Sequence, residues 1–91
     1  MQAFLVTFAS THAALAFEDA AEKDGALVPV PPTLRAGCGM AWRLVRRGDG
    51  AAQARSQEVA AAAGLAAADW ELYAQEEEGG WRGVVVHGGE A

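Results

Sequence analysis

Apolar and polar residues follow one another along this chain in blocks that predict two helices between short strands. Residues 3–9 are dense in β-branched and aromatic side chains, which is typical of a buried strand. Residues 13–23 repeat apolar residues at helical spacing on one face and acidic residues on the other. Ser10 offers a hydroxyl to cap this helix, and Gly25 is placed to end it.

The middle of the chain predicts two more strands and a second helix. Residues 26–30 form a short apolar run that meets prolines, and since proline donates no sheet hydrogen bond, this strand is expected at an edge. Residues 40–46 alternate in a strand pattern. Residues 51–63 are rich in alanine and predict a helix that Gly64 ends.

The last third of the chain predicts a hairpin. Residues 70–76 and 81–87 each fit a strand, and the glutamate- and glycine-rich residues 77–80 between them fit a turn. A helical extension through residues 69–75 is the alternative for the first of these segments.

The order of these elements predicts an α+β fold. Strand, helix, strand, strand, helix, strand is the order of a ferredoxin-like split βαβ sandwich (βαββαβ), here with a C-terminal hairpin. The length of 91 residues suits one domain, for which we expect residues 1–88, with residues 89–91 as a frayed tail.

Composition and charge exclude several classes of function. The formal net charge of −5 disfavours nucleic-acid binding, and no apolar run approaches the length of a membrane span. One cysteine forms no internal disulfide, which fits a cytoplasmic protein, and no cysteine or histidine spacing suggests zinc. We therefore expect no metal and no other cofactor. The positive charges concentrate in a segment around the cysteine, at Arg35, Arg43, Arg46 and Arg47.

The predicted topology brings two distant segments together. In this fold the first and third strands are antiparallel neighbours, so the end of one lies beside the start of the other. Ser10, Thr11 and His12 leave the first strand at that end, and Cys38 and Gly39 enter the third strand there. We expect these residues to share one rim of the sheet.

Cys38 is the residue most suited to carry chemistry at that rim. Helix N-termini and nearby cations raise the thiolate fraction of a cysteine. Here the helix begins beside the rim, Arg35 precedes the cysteine by three residues, and His12 is expected across the rim. Gly37 and Gly39 are expected to leave the sulfur uncovered. The alternative is a cysteine that only fills space, since free cysteines are often buried.

Two sequence blocks resemble a known family. The resemblance spans residues 3–75 and rests on Phe8-Ala9-Ser10-Thr11-His12-Ala13-Ala14-Leu15, on Glu18, Lys23 and Gly25, on Val28-Pro29-Val30-Pro31, and on Cys38-Gly39-Met40-Ala41-Trp42-Arg43. In this order and spacing the blocks resemble the selenium/sulfur carrier protein-like family of small bacterial domains.

The resemblance implies a site made of Ser10, Thr11 and His12 at the turn, with Cys38 and Gly39 as the carrier end. The chain departs from the family pattern at Pro32, where arginine is usual, and at Arg35-Ala36, where serines are common. The hairpin beyond Gln75 looks like an addition.

Three functions remain open on these residues. The first is a carrier in which Cys38 accepts sulfur as a persulfide, or selenium in the analogous form, and hands it on. Its partners would be a protein donor and a protein acceptor, with a homodimer as a further option. The second is a non-catalytic interaction or regulatory module in which Cys38 is structural. The third is a hydrolase using Cys38 and His12, which lacks a visible third orienting group.

Overall fold

Five antiparallel strands form one sheet in the computed structural model, which describes residues 1–87. The chain is therefore α+β, and the predicted tail at residues 89–91 lies outside the described residues. The elements are β1 (Gln2–Phe8), α1 (Thr11–Ala21), β2 (Ala26–Pro29), β3 (Met40–Arg46), α2 (Asp49–Ala62), a short 3₁₀ turn (Ala67–Asp69), β4 (Trp70–Gln75) and β5 (Trp81–Val85).

The strand order is β2-β3-β1-β4-β5. β1 lies between β3 and β4, with Val6 opposite Trp42 on one side and Leu72 on the other. The predicted pairing of the first and third strands is confirmed, and so is the edge position of β2. Residues 70–75 form a strand that pairs with β5, so the helical alternative for this segment is wrong.

The core lies between the sheet and the two helices. β1 alternates as a strand must, and it sends Phe4, Val6 and Phe8 into one buried cluster with the apolar residues of both helices. Phe17 of α1 lies between Phe8 and Trp42, with ring centroids 5.2 Å and 6.2 Å apart. Tilted aromatic contacts at these distances add specific packing to the area that they bury.

The two helices end differently from one another. Gly64 ends α2 as predicted: it takes a positive φ of 75°, and the amides of Gly64 and Leu65 return to the carbonyls of Ala61 and Ala60. These two bonds are the Schellman pattern.

The expectation that Gly25 ends α1 is wrong. α1 ends at Ala21, and Glu22 takes the positive φ of 59° while its amide bonds the carbonyl of Glu18 at 3.1 Å. Gly25 is required for close packing instead, because a Cβ there would lie 2.6 Å from Nε1 of Trp42. The absence of a side chain at Gly25 lets the backbone pass close to β3 as the chain enters β2.

Candidate functional site

The predicted rim is built around Ala9, the residue between β1 and the first turn of α1. The amide of Ala9 donates to the carbonyl of Asp69 at 3.0 Å, which ties the rim to the start of β4. A Cβ added to Gly37 would overlap the carbonyl oxygen of Ala9, so the loop before β3 rests directly on the β1–α1 turn. The two motif segments, 26 residues apart along the chain, therefore meet as the topology predicts.

Ser10, Thr11 and His12 form the start of α1 beside this contact. Ser10 has extended backbone angles, and its Oγ accepts a hydrogen bond from the amide of Ala13 at 3.1 Å, which makes it the N-cap. Thr11 and His12 are exposed in the first turn. An eleven-residue helix presents partial positive charge and unpaired amides at this end.

Cys38 is buried, and the expectation that its flanking glycines leave the sulfur uncovered is wrong. Only 6% of the residue is exposed, and it belongs to the cluster that holds Phe8 and Phe17. Gly37 packs against the backbone of Ala9 and does not leave space over the sulfur. Cys38 lies in the core cluster that includes residues of both helices. The sulfur accepts a hydrogen bond from the amide of Met40 at 3.4 Å.

The polar partners proposed for Cys38 do not bond its sulfur. Within residues 1–87, neither His12 nor Arg35 makes a hydrogen bond to Sγ. Gly39 directly precedes β3, where its carbonyl accepts a hydrogen bond from the amide of Val30 at 3.0 Å and extends the β2–β3 ladder.

The basic segment around Cys38 disperses in three dimensions. Arg46 stands at the far end of β3 and pairs with Asp24, whose Oδ2 also accepts from Nε of Arg55 at 2.7 Å. The hydrogen bond from Arg46, followed by that from Arg55, lowers the pKa of Asp24 against the opposing effect of burial. Arg35 is the cation of the segment that stays at the rim.

A cleft of about 350 Å³ opens at the rim beside Gly37, without Cys38 among its lining residues, and we call it the rim cleft. Its walls include Phe8, Arg35, Gly37, Trp70, Glu71 and His87. Glu71 is not among the site residues that the sequence predicts. The alternation of β4 does place Glu71 and Tyr73 together on the face away from the helices, a signal that was available.

Glu71 is held in place by two donors. Its Oε1 accepts from the hydroxyl of Tyr73 at 2.6 Å, and its Oε2 accepts from the amide of His87 at 3.1 Å. Burial raises the pKa of Tyr73 to about 12, with a smaller contribution from Glu71. The phenol therefore stays protonated at neutral pH and keeps donating to the carboxylate.

Residues 1–87 contain no grouping of three histidine, cysteine or acidic residues that could hold a metal ion. In the same part of the chain, neither helix combines the length and the apolar character needed to cross a membrane.

Comparison with known proteins gives one match. Searches of the curated proteins and of the solved structures returned no significant match. A family model described as "Putative Se/S carrier protein-like" matches residues 3–64. The match takes in both rim segments and ends before β4, so the Trp70–Gln75 strand and its hairpin lie beyond it. The chain belongs to this Se/S carrier protein-like family.

Proposed function

We propose that this protein carries a single sulfur or selenium atom on Cys38 between a donor and an acceptor protein. The observation that carries the proposal is the packing of Gly37 on Ala9, because it sets the only thiol of the chain beside the motif turn at the start of α1. A carrier of one atom needs a thiol and a docking surface rather than a deep pocket, which suits a domain of this size.

The transfer step balances without an external oxidant. The thiolate of Cys38 attacks the terminal sulfur of a donor persulfide, the new S–S bond forms, and the donor's S–S bond breaks with its electron pair leaving on the donor thiolate. The proton of the Cys38 thiol passes to solvent. Delivery repeats the step in reverse, since an acceptor nucleophile attacks the terminal sulfur and Cys38 leaves as thiolate. Selenium follows the same path from a donor that holds it as a selenium analogue of a persulfide.

The remaining rim residues are proposed to stabilise the sulfur once it is bound to Cys38, and they do not take part in bond breaking. The terminal atom of a persulfide is anionic, and the first-turn amides of α1 with the hydroxyls of Ser10 and Thr11 suit an anion. His12 and Arg35 are proposed as positioning groups that add positive charge to the same rim. The amide of Met40 already donates to the inner sulfur.

Loading requires the sulfur to become accessible. Cys38 is 6% exposed, so the segment between Pro31 and Gly37 has to move off the β1–α1 turn when a donor docks. Within this segment the amide of Leu34 donates to the carbonyl of Pro31 at 3.0 Å, which closes a turn. The reducing cytoplasm is the compartment that keeps a lone thiol free for this use.

We also assign the fold to the ferredoxin-like split βαβ class. The support is the antiparallel order β2-β3-β1-β4 with both helices packed against the same face of the sheet. β5 then adds a fifth strand beyond β4, as the second half of the C-terminal hairpin.

The test is direct because the chain has one cysteine. The reduced protein is incubated with glutathione persulfide, and intact mass is expected to show the gain of one sulfur atom that dithiothreitol removes. Cys38→Ser should show no gain. A wild-type protein that stays unmodified, while an unfolded sample of the same chain is modified readily, would reject the carrier.

Burial of Cys38 favours a second candidate function, an interaction or regulatory module with a structural cysteine. Under this reading the sulfur belongs to the core and Cys38→Ala costs stability without a change in partner binding. The same mass experiment separates the two, since a structural cysteine takes up no sulfur in the folded protein.

A further inference from the structure

The rim cleft carries two opposite charges that do not pair with each other. Arg35 enters it from the loop before β3 and Glu71 from β4, and within residues 1–87 no salt bridge or hydrogen bond joins them. Arg35 forms no side-chain hydrogen bond in that part of the chain, so its five donors are available to a ligand. Glu71 retains acceptor capacity beyond the bonds from Tyr73 and His87, because a carboxylate has about four lone-pair sites.

The wall between these charges is largely apolar. Trp70 is only 6% exposed and meets the ring of His87 edge-on, with centroids 6.3 Å apart and planes at 82°. Phe8 belongs to the core of β1, and Gly37 is fixed against Ala9. Nε2 of His87 is buried and has no hydrogen-bond partner within residues 1–87, which leaves a polar atom in the cleft wall that a ligand can satisfy.

These features select among ligand classes by charge. An anion that binds Arg35 meets the negative charge of Glu71, and a cation that binds Glu71 meets Arg35. An uncharged apolar molecule removes water from both groups and pairs neither, which is costly. A zwitterion satisfies both at once. A volume of about 350 Å³ is at the small end of ligand pockets, which run from about 300 Å³, so the ligand is a small metabolite.

We propose that the rim cleft binds a free α-amino acid with an apolar side chain. Its carboxylate lies on the guanidinium of Arg35, its ammonium group on the carboxylate of Glu71, and its side chain against Trp70. Cys38 does not line the cleft, so ligand binding can be measured on the protein without sulfur loaded on it. Trp70, Glu71 and His87 lie beyond the part of the chain that matches the family, whereas Arg35 lies within it, so only one wall of the cleft falls inside the family match.

Calorimetric titration with L-methionine tests the proposal, because its unreactive thioether suits an aromatic wall. Two matched probes each lack one charge: 3-(methylthio)propylamine has no carboxylate, and 4-(methylthio)butanoate has no ammonium group. Methionine is expected to bind at least about tenfold more tightly than either probe, the effect of losing one charge-assisted bond.

Variants locate the site. Arg35→Gln and Glu71→Gln are each expected to weaken methionine binding by about tenfold or more. Arg47→Gln, at an exposed arginine that lies outside the cleft, should leave methionine binding unchanged. Because Arg35 is an exposed loop residue, its variant keeps the test valid if Glu71→Gln unfolds. Absence of methionine binding, equal binding of the one-charge probes, or an unchanged Arg35→Gln would overturn the proposal, whatever the outcome of sulfur loading.

Discussion

Alanine at position 37 probes the contact on which the rim depends. The added Cβ overlaps the carbonyl oxygen of Ala9. This oxygen cannot turn aside, because the amide of Ala9 donates a 3.0 Å hydrogen bond to the carbonyl of Asp69 and Ala9 directly precedes the N-cap Ser10. Gly37 does not occupy the left-handed region, so the cost is steric alone. Forcing a methyl group into a packed contact costs roughly 1–3 kcal/mol, and we expect Gly37→Ala to lose about 2 kcal/mol of unfolding free energy.

Gly39→Ala is the matched control, two residues away in the same loop. A Cβ on Gly39 meets nothing within 4 Å, and its φ is also outside the left-handed region. This change is expected to be neutral or to stabilise by up to about 1 kcal/mol, through the entropy of the unfolded chain. Urea unfolding followed by tryptophan fluorescence measures both variants. Equal midpoints for the two variants would refute the packing of Gly37 on Ala9.

Four further substitutions test other parts of the structure. Asp24→Asn should lose about 1 kcal/mol at neutral pH, as expected for a partly exposed bridge to two arginines, and should flatten the acid side of the stability curve. Ser56→Ala should stabilise the protein by roughly 1 kcal/mol, because the buried Oγ of Ser56 has no hydrogen-bond partner within residues 1–87. Ser10→Ala should cost about 1 kcal/mol through loss of the N-cap. Urea midpoints measure both effects. Absorbance titration of Tyr73, the only tyrosine, should give a pKa of about 12, and Glu71→Gln should lower it.

The sign of the acid effect follows from the direction of the Asp24 shift. A carboxyl group whose pKa is lowered on folding stabilises the protein above its unfolded pKa, near 3.9, and this contribution disappears as the pH falls through the folded pKa. Glu18→Gln, an exposed residue of α1 without an ion pair within residues 1–87, is the control and should leave the curve unchanged. The tyrosine titration is accompanied by far-ultraviolet circular dichroism, so that alkaline unfolding is not mistaken for ionisation.

Local pattern predicted much of the fold because each element buries one face. β3 begins and ends where its alternation does, at Met40 and Arg46, and the alanine-rich α2 ends in the motif that Gly64 makes available. The pairing of β1 with β3 followed from the order of elements alone, and it was enough to place Gly37 beside the β1–α1 turn.

Features set by three-dimensional packing were out of reach of the sequence. Glu22 rather than Gly25 leaves the helical backbone, since Gly25 is needed for the close crossing over Trp42. The glycines beside Cys38 suggested an open sulfur, but the register at the start of β3 decides which way that side chain points. The meeting of Arg35 with Glu71 in one cleft depends on the fourth strand, which no local pattern joins to the loop.

Because Cys38 is buried, sulfur loading in the proposed carrier depends on how often the loop before β3 opens. In the proposed carrier, the thiol reacts only from conformations in which the loop before β3 has left the β1–α1 turn, so the loading rate follows the population of those conformations. Gly37→Ala weakens the contact that holds the loop closed, and about 2 kcal/mol corresponds to a change of up to about 30-fold in that population. For a carrier, sulfur loading of Gly37→Ala should therefore be faster than that of the parent while Gly39→Ala stays unchanged. Loading rates that are the same in all three proteins would show that the loop does not control access to the sulfur.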